Sequence, residues 1–291
     1  GAFRPWLTYA VRMAAGPHTV QVNFTTGRSV DLQHECRDLI AILRLENVCV
    51  DVRPPWSSFA NGVADFEVML PPLMMPIENL DEVPQRILAP LGVSSQRSGR
   101  LNAATISILH ALVNRWTPAI ILVAEGELFR MVGAETVVRR HLIESRRLEA
   151  VLGVPPGLFY TSTMVKLGLL AVSRETDHRN SVRFVDLGHK ELSYRGSRGR
   201  FEFNFEPGTE TADLISGPSP TDKTMGRDVR LEEVFEHNFV LTPDRYLNAG
   251  LRDRIDMLMR DADEATLPDV VEMIRPANLK KSLGEDYTIF E

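Results

Sequence analysis

The chain has 291 residues, of which 44% are hydrophobic and 25% are charged. These values are typical of one large globular domain, or of one domain with appendages. The chain has 33 lysine and arginine residues and 39 acidic residues, which gives a formal charge of −6. This charge argues against a protein that binds DNA over a large part of its surface. No apolar run is long enough for a membrane-spanning helix and no basic leader occurs, so we expect a cytoplasmic protein with no membrane partner.

Neither the cysteines nor the histidines show the spacing of a metal site. Cys49 lies between Val48 and Val50, and helical spacing puts Cys36 on the same face as Leu39. Both cysteines are therefore predicted to be buried thiols. The seven histidines show no ligand spacing, and neither a Gly-x-Ser-x-Gly motif nor a phosphate-binding loop occurs, so we predict no metal site.

The first part of the chain alternates between helical and strand patterns. Apolar residues at helical spacing predict helices over 5–15, 35–45 and 80–88. Alternating or continuous apolar residues predict strands over 18–25, 48–52 and 65–69. This alternation is typical of an α/β protein.

The same alternation continues through the middle of the chain. Helices are predicted over 102–116 and 133–147, and strands over 119–124, 148–154, 166–172 and 182–185. This order predicts a mainly parallel sheet with helices on both faces, and the adjacent strands at its end predict an antiparallel edge. Arg139 and Arg147 lie late in the second helix, where cations favour the helix dipole.

Changes in composition predict the domain boundaries. From Ser193 to Asp228 the chain is polar, with segments rich in glycine and proline, and helical spacing returns at Leu231. We predict an α/β domain over 1–205, a linker or surface loop over 206–230, and a C-terminal helical extension over 231–291.

The strand over 65–69 runs into two consecutive prolines, Pro71 and Pro72, which are flanked by Leu70 and Leu73. Neither proline can donate a ladder hydrogen bond, and each fixes its own φ near −65°, so the strand must stop there. The result is a rigid loop at the carboxyl end of a strand, where open α/β sheets place their ligands.

Three stretches agree in order, spacing and residue type with one protein family. They are Ile121-Leu122-Val123-Ala124-Glu125-Gly126-Glu127-Leu128-Phe129, Arg139-Arg140-His141-Leu142-Ile143-Glu144 and Leu148-Glu149-Ala150-Val151-Leu152-Gly153-Val154-Pro155-Pro156-Gly157-Leu158-Phe159. On these residues, and on 231–246, the chain resembles the N6-adenine DNA methylases of type I restriction–modification systems. Residues 267–275 are similar to the start of a target-recognition domain of a specificity subunit.

This resemblance implies a Rossmann-like methyltransferase fold and S-adenosylmethionine as the cofactor. It implies a role in restriction–modification or phage defence, with a specificity-type subunit or other restriction–modification subunits as partners and DNA reached through the complex. It also implies that the C-terminal extension leads toward a target-recognition region.

The proline corner departs from the pattern of that family. Such enzymes have Asn/Asp-Pro-Pro-Phe/Tyr there; the polar side chain accepts a hydrogen bond from the target amine, and the ring stacks on a base rotated out of the duplex. Here Leu70 and Leu73 occupy the polar and aromatic positions. The resemblance therefore implies that Leu70, Pro71, Pro72 and Leu73 form a degenerate catalytic motif.

The cofactor motifs are also incomplete. No Asp-Pro-x-x-Gly-x-Gly occurs, although Gly1-Ala2-Phe3 could be the end of such a loop, and the strand over 20–24 is expected to replace the central strand. Asp31 matches the acid that binds the cofactor ribose, or it is a helix N-cap. Trp56 could stack on a purine, or it is a core or rim residue. We expect the cofactor to be lost.

A basic run with flanking aromatic residues follows the last predicted strand. Its cations are Arg195, Arg198 and Arg200. These three residues are predicted to contact DNA phosphates, or else to lie in a solvated turn.

Three functions remain open on the sequence. The first is a catalytically degenerate methylase-like scaffold or DNA-associated subunit, that is, a pseudoenzyme. The second is an active adenine-N6 methyltransferase whose Gly-rich loop lies upstream of Gly1. The third is a protein-interaction module that does not bind DNA.

Overall fold

Short runs of aliphatic residues form the inner strands of this protein, at 119–124, 148–154 and 167–172. The computed structural model describes residues 20–25, 48–53, 65–92, 101–131, 133–157, 165–196, 201–204 and 209–248. The strands within these ranges are β1 (Val20–Thr25), β2 (Val48–Arg53), β3 (Glu67–Met69), β4 (Ala119–Ala124), β5 (Leu148–Val154), β6 (Leu167–Val172), β7 (Ser181–Asp186), β8 (Ser193–Arg195), β9 (Phe201–Phe203) and β10 (Gly226–Arg230).

The helices are short and lie between the strands. They are α1 (Gln85–Leu88), α2 (Ala103–Val113), α3 (Glu125–Phe129), α4 (Ala134–Glu144), α5 (Thr209–Ser216), α6 (Leu231–Glu236) and α7 (Pro243–Leu247). Single 3-10 turns at Leu80–Glu82 and Ala89–Leu91 flank α1. No helix within the described ranges is long and apolar enough to cross a membrane.

Six strands form the main sheet, in the order β10-β7-β5-β6-β4-β3. The strands β3, β4, β5 and β7 run in one direction, whereas β6 and β10 run in the other. The sheet is therefore mainly parallel, as predicted. Two smaller sheets consist of the parallel pair β1-β2 and the antiparallel hairpin β8-β9.

The topology differs from the sequence expectation in two places. The strand β6 was expected near an antiparallel edge, but it lies inside the sheet between β4 and β5. The strand expected to replace the central strand, β1, pairs with β2, and among the described strands β3 pairs only with β4.

The stretch over 206–230, predicted as a linker or surface loop, contains α5 and β10. Because β10 pairs with β7, this stretch supplies the antiparallel edge of the main sheet. The domain boundaries themselves stay a prediction. The helices predicted over 5–15 and 35–45, and the C-terminal extension beyond 248, lie outside the described residues.

The inner strands β4, β5 and β6 are buried on both faces, which explains why they read as nearly continuous apolar runs. Ile121 and Val151 face one core, where α2 and α4 cover the sheet. Leu122 and Leu152, one residue along each strand, face a second core with Leu214 of α5. All residues of α2 from Ala103 to Ala111 are buried, including the polar residues Thr105, Ser107 and His110, so the helix occupies a core position.

A buried arginine joins α2 to the sheet. Arg147 is 2% exposed, and its guanidinium donates to the carbonyl oxygens of Ser173 (2.8 Å), Ala111 (2.7 Å) and Leu112 (3.2 Å). The last carbonyls of a helix lack intrahelical partners, so Arg147 satisfies the end of α2 and not the end of α4 that precedes it. Burial lowers the pKa of this guanidinium.

A second buried network holds the start of α2. The Asn102 Oδ1 atom accepts from the Thr105 amide (2.9 Å), and its Nδ2 atom donates to Glu127 Oε1 (2.7 Å). Glu127 is 3% exposed, and burial raises the pKa of its carboxyl. The backbone of Asn102 also forms an isolated antiparallel β-bridge with Pro76. This network therefore connects α2 and α3 to the loop that follows β3.

We predict that Arg147→Met lowers the free energy of unfolding by about 3–5 kcal/mol, because it leaves several buried carbonyls without a donor. Urea unfolding followed by circular dichroism measures the change. Arg140→Met is the matched control: Arg140 is exposed and contacts the Phe239 ring at 5.1 Å, so we expect a loss below about 1 kcal/mol. Equal losses in the two variants would contradict the role assigned to Arg147.

We also predict a pH-dependent effect of Glu127→Gln. Because folding raises the Glu127 pKa, its ionised form destabilises the fold, and this penalty disappears as the pH falls through the raised pKa toward the ordinary value of 4.5. The stability of the wild type relative to Glu127→Gln should therefore rise as the pH falls from about 8 to about 5.

Urea unfolding at several pH values measures this difference. The exposed carboxylate Glu82 supplies the control variant, Glu82→Gln, whose stability relative to the wild type should vary less with pH. Parallel pH curves for the wild type and Glu127→Gln would show that this carboxyl is not the group responsible.

Candidate functional site

The shared direction of β3, β4, β5 and β7 places their carboxyl ends at one edge of the main sheet. We call this the carboxyl edge. The proline corner follows β3 there, and α3 follows β4. Ligands of open α/β sheets bind at such an edge, so the structure positions the predicted corner where a site is expected.

The proline corner is a tight turn with apolar side chains. Leu70 is 39% exposed, Pro71 is buried and Pro72 is exposed. The Met75 amide donates to the Pro72 carbonyl (3.4 Å), and Met74 has a φ of 59°. A non-glycine residue in this left-handed region costs about 1–2 kcal/mol, so other contacts must hold the turn in place.

The contacts that hold the turn come from α2 and from the end of α3. The Ala103 amide donates to the Met75 carbonyl (2.9 Å), and the Ile77 amide donates to the Leu101 carbonyl (2.8 Å). Arg130 Nη2 lies 3.7 Å from the Met74 sulfur. The position of the corner is therefore fixed by backbone groups and by neighbouring elements, and not by the side chain of Leu70.

Arg139 anchors α3 at this edge. This arginine is 1% exposed and donates to the carbonyls of Glu127 (2.8 Å), Arg130 (2.6 Å) and Phe239 (2.9 Å). Burial lowers its pKa. Like Arg147, it donates hydrogen bonds to carbonyls of other segments. The sequence predicted only that these arginines would interact favourably with the dipole of their own helix.

The corner offers no side-chain partner for a target amine. From Leu70 to Ile77 no side chain contains an oxygen or nitrogen atom. A preorganised site that loses one hydrogen-bonding group commonly loses about 10²–10³ in rate. Loss of methyl transfer at this corner therefore stays a prediction from the family pattern, and we assign these residues no methyl-transfer step.

The predicted cofactor ligands Asp31 and Trp56 lie outside the described residues. The chain following β1 and β2, where a cofactor would contact the carboxyl ends of these strands, also lies there. The loss of S-adenosylmethionine binding therefore stays a prediction.

Of the three arginines predicted to contact DNA, Arg195 is described and Arg198 and Arg200 are not. Arg195 is exposed on β8, and its guanidinium lies 5.1 Å from the ring centre of Phe201 on β9. The opposing strand also contains Glu202, which accepts a hydrogen bond from the Tyr194 hydroxyl (2.7 Å). The described part of the hairpin therefore contains both a cation, Arg195, and a carboxylate, Glu202.

A charged cluster at the carboxyl edge was not predicted from sequence. Lys166 Nζ lies 3.1 Å from Asp244 and 3.8 Å from Glu125. The hydrogen bond to Asp244 raises the pKa of Lys166, and burial raises the pKa of the nearby Asp186 carboxyl. Only the fold brings these groups together, because 78 positions separate Lys166 from Asp244.

A depression lined by Asn180, Ser181, Arg230 and Glu232 lies at the opposite end of β7. Ser181 is the first residue of β7, whereas the proline corner lies at the carboxyl edge. The depression is therefore separate from the candidate site.

Comparison with known proteins agrees with this architecture. The N-6 DNA methylase family model matches residues 97–253, which is more than half of the chain. Two curated relatives are the HindI methylase subunit of a type I restriction enzyme from Haemophilus influenzae, 24% identical over 135 residues, and the corresponding MpnII subunit from Mycoplasma pneumoniae, 24% identical over 144 residues. The matches cover 45% and 49% of this chain, but only 30% and 25% of those relatives.

A solved structure has a similar fold. It is the methyltransferase subunit of a type I restriction–modification system from Streptococcus thermophilus, with a TM-score of 0.57 and 16% identity. The likeness covers 79% of this chain and 54% of that one. The Rossmann-like methyltransferase fold predicted from sequence is therefore confirmed, and the chain belongs to the N-6 DNA methylase family.

Proposed function

We propose that this chain is a methylase-like component of a type I restriction–modification assembly in which the proline corner no longer supports methyl transfer. One observation carries the proposal: Leu70 lies at the carboxyl edge where the polar residue of the family motif is expected, and no side chain up to Ile77 replaces its oxygen. Family membership and the names of the relatives, methylase subunits of type I restriction enzymes, support the class of assembly.

In this proposal the chain acts as a scaffold and not as the catalyst. Arg139, Arg147 and the Glu127 network hold the elements around the corner without any contribution from Leu70. The frame can therefore present a surface to a specificity-type subunit although the methyl-transfer groups are missing.

We also propose that DNA is reached through the assembly. The net charge of −6 and the charged cluster around Lys166 oppose independent binding of a polyanion. Arg195, together with Arg198 and Arg200, is the proposed phosphate contact within such a complex.

Calorimetric titration with S-adenosylmethionine and a methyl-incorporation assay on adenine-containing duplex DNA test the loss of catalysis. Both are run with the chain alone and with a specificity-type subunit. We expect neither micromolar cofactor binding nor methylation of adenine. Cofactor binding in the micromolar range together with adenine-N6 methylation would overturn the proposal and establish the alternative of an active enzyme.

The double variant Leu70→Asn/Leu73→Phe separates these two alternatives further. In an enzyme that already tolerates leucine at the corner, restoring the family residues should change methylation little. In a degenerate subunit the same change leaves complex formation intact, and any methylation gained over a wild type without activity identifies Leu70 as the lost acceptor. Size-exclusion chromatography with the specificity-type subunit supplies the control for assembly.

Replacing Arg195, Arg198 and Arg200 together by alanine tests the DNA contact. Removing one cation that neutralises a phosphate should reduce the slope of log K against log salt by about 0.9, so we expect a reduction of up to about 3 for the complex. Arg115→Ala is the control, because Arg115 is exposed and pairs with Glu175 at 2.9 Å elsewhere on the surface. An unchanged slope would exclude these arginines, and no DNA binding by chain or complex would favour an interaction module.

A further inference from the structure

Two turns at the carboxyl edge bring together one imidazole and two carboxylates. His189 and Glu191 lie in the turn that follows β7, and Asp222 lies in the turn that precedes β10. One ligand atom from each of the three side chains lies within 4.8 Å of the others. The sequence gives no local signal of this cluster, because Asp222 is remote from His189 along the chain.

Backbone hydrogen bonds make both turns rigid. The Leu192 and Ser193 amides both donate to the His189 carbonyl (2.9 Å each), and the Met225 and Gly226 amides donate to the Asp222 carbonyl (3.1 and 3.0 Å). The pairing of β7 with β10 then fixes one turn beside the other. The ligand groups are therefore positioned before any ion binds.

Thr224 links His189 and Asp222, which do not hydrogen-bond each other directly. The Asp222 Oδ1 atom accepts from the Thr224 amide (2.8 Å) and hydroxyl (2.6 Å), and these bonds lower the Asp222 pKa. Its Oδ2 atom lies 3.7 Å from His189 Nε2, which is too long for a hydrogen bond, and the same Nε2 atom makes a 3.3 Å contact with the Thr224 hydroxyl oxygen. Two ligands bound to one zinc ion at about 2.0–2.2 Å are roughly 3.3–3.6 Å apart, so His189 and Asp222 need only a small shift. Because the three ligand atoms are up to 4.8 Å apart, the exposed Glu191 side chain makes the larger adjustment.

We propose that His189, Glu191 and Asp222 bind a divalent transition-metal ion of the zinc class, which ties the turn after β7 to the turn before β10. An imidazole nitrogen favours such an ion over magnesium or calcium, which prefer oxygen ligands alone. Binding through Nε2 displaces its 3.3 Å contact with the Thr224 hydroxyl and moves the ring proton to Nδ1, so the long 3.4 Å hydrogen bond from the Glu191 amide to Nδ1 also breaks. A solvent molecule completes the coordination.

The test is calorimetric titration of the chelator-treated protein with zinc chloride, and with magnesium chloride as the comparison. We expect one zinc ion per chain, a rise in Tm with zinc, and no comparable magnesium binding. His189→Ala and Asp222→Asn should each weaken zinc binding at least about tenfold, because each removes a ligand. Their circular dichroism and metal-free Tm establish that the variants fold.

His141→Ala is the matched control. His141 Nδ1 lies 3.7 Å from Glu144 on the surface of α4, the same separation as in the proposed site, but the described residues provide no third ligand there. This variant should bind zinc like the wild type. The proposal is overturned if zinc does not bind in a one-to-one ratio, if His189→Ala and Asp222→Asn bind it normally, or if X-ray absorption shows sulfur ligands, which would indicate Cys36 or Cys49.

Discussion

The common direction of four strands places the candidate functional groups of the main sheet at one of its edges. Because β3, β4, β5 and β7 are parallel, the corner after β3, the helix after β4 and the turn after β7 all lie at the same edge of the sheet. The antiparallel strand β6 enters from the same edge, so Lys166 at its start joins the charged groups there. The topology places these segments at one edge, where β5, β6 and β4 separate the turn after β7 from the corner after β3.

The backbone conformation of the proline corner does not depend on the side chain of Leu70. Pro71 is buried and the turn is held by backbone hydrogen bonds to α2, whereas the Leu70 side chain is partly exposed. Exposed positions outside the core usually change stability by only a few tenths of a kcal/mol. A polar residue at this position could therefore be replaced by leucine with little effect on folding, so the fold and the catalytic chemistry of such a corner are separable.

The parts of the fold that were predictable are those that a local pattern determines. The strand over 119–124 was predicted to the residue, because a continuous buried apolar run opened by Pro118 has few alternatives. The strand β10, Gly-Arg-Asp-Val-Arg, was missed because its polar residues resemble a loop. Its backbone pairs with β7, and Arg183 reinforces that pairing by binding both Asp228 carboxylate oxygens at 2.7 and 3.0 Å. A pair of residues 45 positions apart leaves no local signal in the sequence.

The same limit applies to the candidate site. The proline corner was predictable because two consecutive prolines act on their own backbone. The charged groups around Lys166 were not, because their meeting depends on long-range contacts between α7 and the sheet. These groups include the carboxylates Glu125, Asp186 and Asp244, and their negative field opposes a phosphate backbone at this edge. This charge distribution is consistent with the proposal that DNA is reached through an assembly.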